Sequence, residues 1–302
     1  MRASVFEMLE LDYGYVSEKI EEFIRGSVRA FEKDGVIIGL SGGLDSSVVA
    51  TLSVRALGRD SVFGLLMPER DSEPRNIKDA KLLASKLKIE YEVLDLTPIL
   101  RRIGVYDIIP DSIAKDKKAL IKKLSEVKRV STFELKSDYI PMISIKSGRP
   151  SWRYAIPKLR LRSIMLYFNA FHRNLLVTGT LNRSEYLTSH YDEHGDGACD
   201  IAPIRGLYKT QVRQLARYLG VPKRIIEKPS SPDIILGSIV TDENLLGMSF
   251  ETLDPILYLL EQGMNTSEIA SALEVDLETV KKIENTVAMA KLRREMPFAP
   301  QI

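Results

Sequence analysis

The 302 residues include one cysteine, three histidines and one tryptophan. With Cys199 alone there is no internal disulfide and no multi-cysteine metal site. Three histidines leave little for a histidine-rich zinc site. No stretch of about 20 apolar residues occurs, so nothing reads as a membrane-spanning helix. The first residues, Met1-Arg2-Ala3-Ser4-Val5-Phe6-Glu7, reach an acid before a signal-like apolar core forms, and the expected location is cytoplasmic. Charge of one sign is also missing. The 43 basic residues face 41 acidic ones, and a net charge of +2 argues for no nucleic-acid partner. There is no internal repeat and no low-complexity segment.

What is present is the composition of a globular protein, 44% apolar and 28% charged, with enough length for a large core. Tyr15 to Phe31 places Val16, Ile20, Phe23, Ile24, Val28 and Phe31 on one helical face. Short apolar runs predict strands at 36–39, 61–67, 90–96 and 175–180, and amphipathic helices at 48–57, 76–87, 159–171 and 209–219 lie between and after them. Strands alternating with helices predict a parallel α/β sheet. Residues 107–158 break the pattern. Asp116 to Lys128 is lysine-rich with a weak apolar stripe, and Ser131 to Arg153 mixes short β-like runs with Gly148 and Pro150. That region is read as a basic insertion at the sheet edge, its charge a solvated face rather than a binding patch. The last fifty residues read as all-helical, with Asn265 and Asp276 as N-caps and the final helix running to about Arg294.

The chain is organised around Val36-Ile37-Ile38-Gly39-Leu40-Ser41-Gly42-Gly43-Leu44-Asp45-Ser46-Ser47. A buried strand turns on Ser-Gly-Gly into a helix, so that backbone amides gather at one point where anions bind. A Walker A loop would need Gly-Lys-Ser/Thr here. Instead Asp45 stands where the lysine would be, which makes sense for a carboxylate holding Mg²⁺ beside phosphates. An ordinary strand–turn–helix is the bland alternative.

Ser-Gly-Gly-x-Asp-Ser after a strand resembles the pyrophosphate loop of the N-type ATP pyrophosphatases. Further along come Gly179-Thr180-Leu181-Asn182-Arg183-Ser184-Glu185, Gly195-Asp196-Gly197-Ala198-Cys199-Asp200, Leu207-Tyr208-Lys209-Thr210-Gln211-Val212, Lys228-Pro229-Ser230-Ser231-Pro232-Asp233 and Thr241-Asp242-Glu243. Five motifs in this order resemble the NAD synthetase family, over roughly residues 15–105 and 158–300. The resemblance implies a doubly wound parallel sheet of the adenine nucleotide alpha hydrolase-like, Rossmann-like kind with a C-terminal helical cap. It implies one domain over 1–302: an α/β core at 15–105 and 158–222, the insertion at 107–157 and a helical part at 223–302. It also implies ammonia-dependent amidation of deamido-NAD through an adenylated carboxylate, with release of AMP and pyrophosphate.

Residue by residue, the resemblance assigns Gly39, Leu40, Ser41, Gly42, Gly43, Leu44, Asp45 and Ser46 to the ATP site, with Thr180, Lys209 and Ser231. Ser230 competes with Ser231 for the same role. Asp45 and Glu185 are the Mg²⁺ ligands, and Asp45 and Lys209 the catalytic pair. Taken alone, Glu185 would be a surface ion pair and Lys209 a solvent-facing lysine. Arg160, Asp200, Glu193 and Arg293 fall at deamido-NAD positions. Glu193 replaces a family lysine, Ile156 a family asparagine and Leu292 a family histidine, so ATP-side residues are intact and acceptor-side residues altered. The altered turn predicts weakened acceptor binding, and a paralogue amidating a different carboxylate is the alternative. About thirty residues before the loop cannot hold a glutaminase domain, so ammonia is expected free or from a separate protein. A homodimer is implied. Asn265 to Ile283 also resembles a DNA-binding helix-turn-helix, but Asp276, Glu278 and Glu284 would repel phosphate.

Overall fold

The computed structural model describes residue 7, residues 9–114, residues 150–231, residue 233 and residues 241–294. Helix α1 (Tyr13–Ala30) leads into strand β1 (Gly35–Gly39), helix α2 (Leu44–Leu57), strand β2 (Val62–Leu66), helix α3 (Pro74–Leu87) and strand β3 (Glu90–Val93). Three short helices follow, α4 (Thr97–Arg102), α5 (Val105–Ile108) and α6 (Asp111–Ala114). Helix α7 (Pro150–Arg173) then precedes strand β4 (Leu175–Thr178) and helices α8 (Arg183–Thr188), α9 (Lys209–Tyr218) and α10 (Lys223–Ile226). The chain closes with α11 (Asp242–Leu246), α12 (Phe250–Glu261), α13 (Thr266–Leu273) and α14 (Leu277–Arg294).

The sheet runs β3-β2-β1-β4, all parallel, with Val36 opposite both Val62 and Leu176. Val36, Ile37 and Ile38 are fully buried because helices cover both faces of β1. A strand buried on two sides reads as an unbroken apolar run rather than an alternation. On one face Ile24, Val48, Leu52, Val212 and Leu215 of α1, α2 and α9 pack with Val36 and Ile38. On the other, Ala170, Met165 and Leu166 of α7 pack with Ile37, Phe63 and Val177. The two-sided packing is the expected doubly wound arrangement. β3 is the exposed edge, and its Glu90 and Glu92 suit an edge that must not pair further. The sheet order reverses at β1, so a crevice opens between the carboxyl ends of β1 and β4, where open α/β sheets place ligands.

Two sequence expectations need correction. The helix expected from Leu159 begins at Pro150 and carries Pro157 in its interior. A proline inside a helix removes one backbone hydrogen bond and opposes the turn before it. Here burial of Tyr154 and Lys158 on the same stretch outweighs that local cost. The strand expected over 90–96 stops at Val93, and Leu94 and Leu96 continue by single backbone bonds to Leu66 and Pro68. All of the Lys-rich stretch Asp116–Lys128 and most of Ser131–Arg153 lie outside the described residues.

The C-terminal helices share a second core. Phe250, Leu253, Ile256 and Leu257 of α12, Ile269 and Leu273 of α13, and Val280 and Ile283 of α14 close over Leu187 and Tyr208. The pair resembling a helix-turn-helix thus spends its apolar residues on packing. Asn265 forms the expected capping box with Glu268, and Asp276 accepts from Thr279 N at 3.0 Å. Asp254 of α12 fastens this layer to α8 and α9: it accepts from Ser184 Oγ at 2.6 Å, Thr210 N at 2.8 Å and Thr210 Oγ1 at 2.7 Å.

Candidate active site

The first part of the site is the turn from β1 to α2. Gly42 has φ +73°, and a Cβ there would lie 2.1 Å from the carbonyl oxygen of Asn76, so only glycine fits between the loop and α3. Ser41 Oγ accepts from Gly43 N at 3.1 Å and meets Ser46 Oγ at 3.0 Å. Ser47 Oγ holds the Gly43 carbonyl at 2.7 Å. Gly43 caps α2 without a side chain, leaving the helix's first amides and the positive end of its dipole for an anion. From beneath, Lys228 Nζ donates to Gly42 O at 2.6 Å, Asn76 Oδ1 at 2.7 Å and Asp79 Oδ2 at 3.0 Å.

The second part faces it across the crevice. Lys209 opens α9 and is 1% exposed. Its ammonium lies 2.5 Å from Asp45 Oδ2 and 3.5 Å from Glu185 Oε1. Asn182 links the same carboxylates: its Nδ2 donates to Asp45 Oδ1 at 3.1 Å, and its backbone N donates to Glu185 Oε2 at 3.2 Å. Asn182 and Glu185 form the capping box of α8, which fixes Glu185 one turn into that helix. Lys209 N donates to Ser184 Oγ at 2.9 Å, so α8 and α9 are locked end to end.

The electrostatics follow from burial and crowding. Burial raises the Glu185 carboxyl to about 8; the Lys209 charge opposes that rise, while Asp45 and Asp242 add to it. Burial works against the Lys209 ammonium, but Asp45 and Glu185 outweigh it and hold its pKa above the usual lysine value. Burial likewise opposes ionisation of Asp242, and His190 overcomes it, bringing that carboxyl to about 2. Ser230 also donates to Asp242. Asp45, Glu185 and Asp242 therefore all bear on Lys209 and favour its charged form. Among the described residues no group of three or more acids, histidines or cysteines closes around one point. A Mg²⁺ ion bound by one or two carboxylates takes the rest of its shell from water and substrate phosphate, so the pair Asp45 and Glu185 fits that ion.

Of the remaining ATP-side candidates, Thr180 lies two residues beyond β4, half-buried. Ser231 Oγ accepts from Asp233 N at 3.3 Å, whereas the competing Ser230 is committed to Asp242. Asn182, Lys228, Asp242 and His190 had no role in the sequence reading. All but His190 stand inside its quoted motifs, and that placement was the available signal.

The acceptor-side candidates form a separate group around the glycine-rich turn. Arg160 grips Asp192 with two nitrogens, at 2.8 and 3.2 Å. Glu193 pairs with Arg293 at 2.5 Å. Arg293 is 3% exposed and also donates to the carbonyls of Ser189 at 3.1 Å and Tyr191 at 3.3 Å. Asp200 accepts from Val177 N at 2.7 Å and Tyr167 Oη at 3.3 Å, which ties it to β4 and α7. The negative charge that the sequence assigned to this turn is thus matched: Asp192 by Arg160, Glu193 by Arg293. Both acids of the turn therefore have a guanidinium partner, which lessens the repulsion that they would exert on an anionic acceptor. Inside the turn Asp196 accepts from Asp192 N at 2.8 Å, and burial raises its carboxyl to about 6.

A strand–glycine loop–helix at the switch point of a doubly wound sheet, facing a lysine between two carboxylates, defines a nucleotide-binding α/β protein. The comparisons narrow the class. A family model described as NAD synthase matches residues 16–123 and 107–297. The chain is 38% identical over 287 residues to the NH(3)-dependent NAD(+) synthetase of Methanocaldococcus jannaschii, covering 95% of this chain and 96% of that one. It is also 38% identical over 290 residues to the protein of the same name from Thermotoga maritima, covering 94% and 98%. Among solved structures, the NH3-dependent NAD synthetase from Campylobacter jejuni, in complex with the nitrate ion, matches with a TM-score of 0.67 at 26% identity over 97% of this chain and all of that one. The NMN synthetase of Francisella tularensis shares the fold, with a TM-score of 0.71 at 24% identity over the same shares. The chain belongs to the NAD synthase family.

The pairing of Glu193 with a buried guanidinium gives a test. Glu193→Lys places a cation against Arg293 and leaves a buried charge without its partner, a change that costs about 3–5 kcal/mol. Denaturant unfolding should show that loss, with no gain in acceptor affinity. Tighter acceptor binding at unchanged stability would contradict the pairing.

Proposed function

We propose that this protein uses ATP and ammonia to amidate deamido-NAD to NAD, through an adenylated nicotinate carboxylate. The observation that carries the reading is the Asp45–Lys209–Glu185 set beside the glycine loop, in a chain whose relatives bear that activity in their names. In the proposed sequence a carboxylate oxygen of the acceptor attacks the α-phosphorus of ATP and pyrophosphate leaves. Ammonia nitrogen then attacks the acyl carbon, AMP leaves, and a proton passes to solvent. Such transfers depend on positioning and on neutralising charge more than on a nucleophilic side chain.

In this reading Gly39, Leu40, Ser41, Gly42, Gly43, Leu44 and Ser46 cradle the β- and γ-phosphates through loop amides and hydroxyls. Thr180 and Ser231 complete the ATP site. Asp45 and Glu185 would hold Mg²⁺, which when bound supplies positive charge to the phosphates. Lys209 keeps its proton and sets a second cation against the α-phosphate. On the other side Arg160 and Asp200 receive the dinucleotide, while Glu193 and Arg293 shape the turn beneath it. The setting is the cytoplasm, where ATP is available, and the domain is single, with 223–302 as its helical cap. No helix among the described residues is long and apolar enough to cross a membrane.

The direct assay is AMP formation with ATP, Mg²⁺ and ammonium, with deamido-NAD, nicotinate mononucleotide or no acceptor. AMP should appear with deamido-NAD, and Asp45→Asn should lower the rate at least about 10²-fold, the scale of removing one group that stabilises transition-state charge. AMP with the mononucleotide alone would assign a different carboxylate, and near-normal turnover of Asp45→Asn would remove the metal role.

The proposal includes a homodimer. Helix α7 presents Ile164, Phe168 and Phe171 on one stripe, with Phe171 87% exposed. An exposed apolar stripe of this kind supports a contact surface here. Sedimentation should give a dimer for the wild type and a monomer for Phe168→Asp with Phe171→Asp; a monomeric wild type would refute it.

A further inference from the structure

A second buried ionic cluster lies at the carboxyl end of β2, apart from the Lys209 set. Lys158 of α7 is completely buried, and Glu69 and Asp71 of the loop leaving β2 are buried beside it with Tyr106 and Tyr154. Lys158 Nζ donates to Glu69 Oε1 at 2.9 Å and Asp71 Oδ2 at 2.6 Å, and stands 3.9 Å over the Tyr154 ring. Tyr106 Oη donates to Glu69 Oε2 at 2.7 Å, and Tyr154 donates to Asp71. Arg70 Nε donates to Asp71 Oδ1 at 2.8 Å, and its Nη1 reaches Asp111 Oδ1 at 2.7 Å. None of these side-chain atoms stands among the buried groups without a partner.

Buried charges of this kind are no cheap source of stability. Apolar residues of the same volume often do as well or better. What the set does is fix geometry. It clamps α7, which carries Arg160 and Tyr167, to the loop 69–72. That loop continues into α3, whose Asn76 carbonyl abuts Gly42 and whose Asn76 Oδ1 shares Lys228 with the Gly42 carbonyl. One residue past the loop, Glu73 N donates to Asp233 Oδ1 at 2.9 Å, and Asp233 N donates to Ser231 Oγ. The same short segment thus contacts the floor of the phosphate loop on one side and the Ser231 turn on the other, while Lys158 joins it to the acceptor-side helix.

We infer that Lys158, with Glu69 and Asp71, is a positioning set that holds the acceptor-side helix α7 in register with the phosphate loop. This rests on the assignment of ATP and acceptor sites proposed above. The transfer needs the acceptor carboxylate close to the α-phosphorus and aligned with the departing oxygen. A displacement of about 1 Å can cost on the order of 10²-fold in rate. A clamp between the two half-sites acts on that distance and leaves each half-site's own contacts intact.

The test pairs two variants. Lys158→Met with Glu69→Gln removes one charge of each sign and keeps a hydrogen-bonding side chain opposite Tyr106. Tyr154→Phe deletes a single hydroxyl. Three quantities are read in wild type and variants: affinity for a non-hydrolysable ATP analogue by calorimetry, kcat/KM for deamido-NAD from AMP formation, and amide hydrogen exchange over residues 154–166. The double variant should keep analogue affinity within about threefold, lose about 10²-fold in kcat/KM for the acceptor, and exchange faster over 154–166 with β1 and α2 unchanged. Tyr154→Phe should shift the same two quantities in the same direction by less. Acceptor kcat/KM within threefold of wild type, or analogue affinity falling by the same factor as acceptor kcat/KM, would overturn the inference. A wild type that forms no AMP with deamido-NAD would refute the acceptor assignment instead. Exchange over 154–166 then decides the clamp, and unchanged exchange in both variants would remove it.

Discussion

The structure depends on one ammonium. Lys209 sits where three separate stretches converge: the start of α2 with Asp45, the start of α8 with Asn182 and Glu185, and the start of α9 itself. Each is a helix N-terminus just past a strand end or loop, where backbone amides point outward and a carboxylate is favoured. Bringing Asp45 and Glu185 together would be costly without a cation between them, because two partly desolvated like charges repel each other. Lys209 makes the convergence possible, and the capping box of α8 and the Ser184 bond to Lys209 N keep it in place. Asp254 extends the same constraint into the C-terminal helices. The set thus joins α2, α8 and α9 at one point.

Around this centre charges are arranged in closed groups. Lys228 and Asp79 brace the glycine loop from below. Arg160 with Asp192, and Arg293 with Glu193, neutralise the glycine-rich turn. Lys158 with Glu69 and Asp71 joins α7 to the sheet end. Each group links elements distant in sequence, and each is at least partly desolvated, where geometry decides its value more than charge count.

The sheet was legible because strands flanked by helices on both faces must be continuously apolar, and Val36 to Ile38 and Leu175 to Val177 are. The loop was legible because Gly42 has no alternative against Asn76, and the order of the later motifs carried the family. Helix α7 was only half legible. Pro150 and Pro157 signal a break, and the residues that anchor its first turns, Tyr154 and Lys158, are polar and buried, so no apolar stripe marks it. The pairing inside the acidic turn was not legible: the partner of Glu193 lies 100 residues away on α14, and no local pattern announces a pair at that separation. Of the candidate site, Asp45, Glu185 and Lys209, named from the motifs, lie together in the structure, while Asn182, Asp242 and Lys228 around them carried no signal beyond membership of a motif.

The central claim is that the Asp45, Glu185 and Lys209 set serves attack of an acceptor carboxylate on the α-phosphorus. It is tested most directly by following oxygen. Deamido-NAD carrying ¹⁸O in its nicotinate carboxylate is turned over with unlabelled ATP, Mg²⁺ and ammonium, and the products are analysed by mass spectrometry. One labelled oxygen per turnover should appear in the phosphate of AMP, with pyrophosphate unlabelled. Label in pyrophosphate or orthophosphate, and none in AMP, would place the attack on another phosphorus and contradict the account.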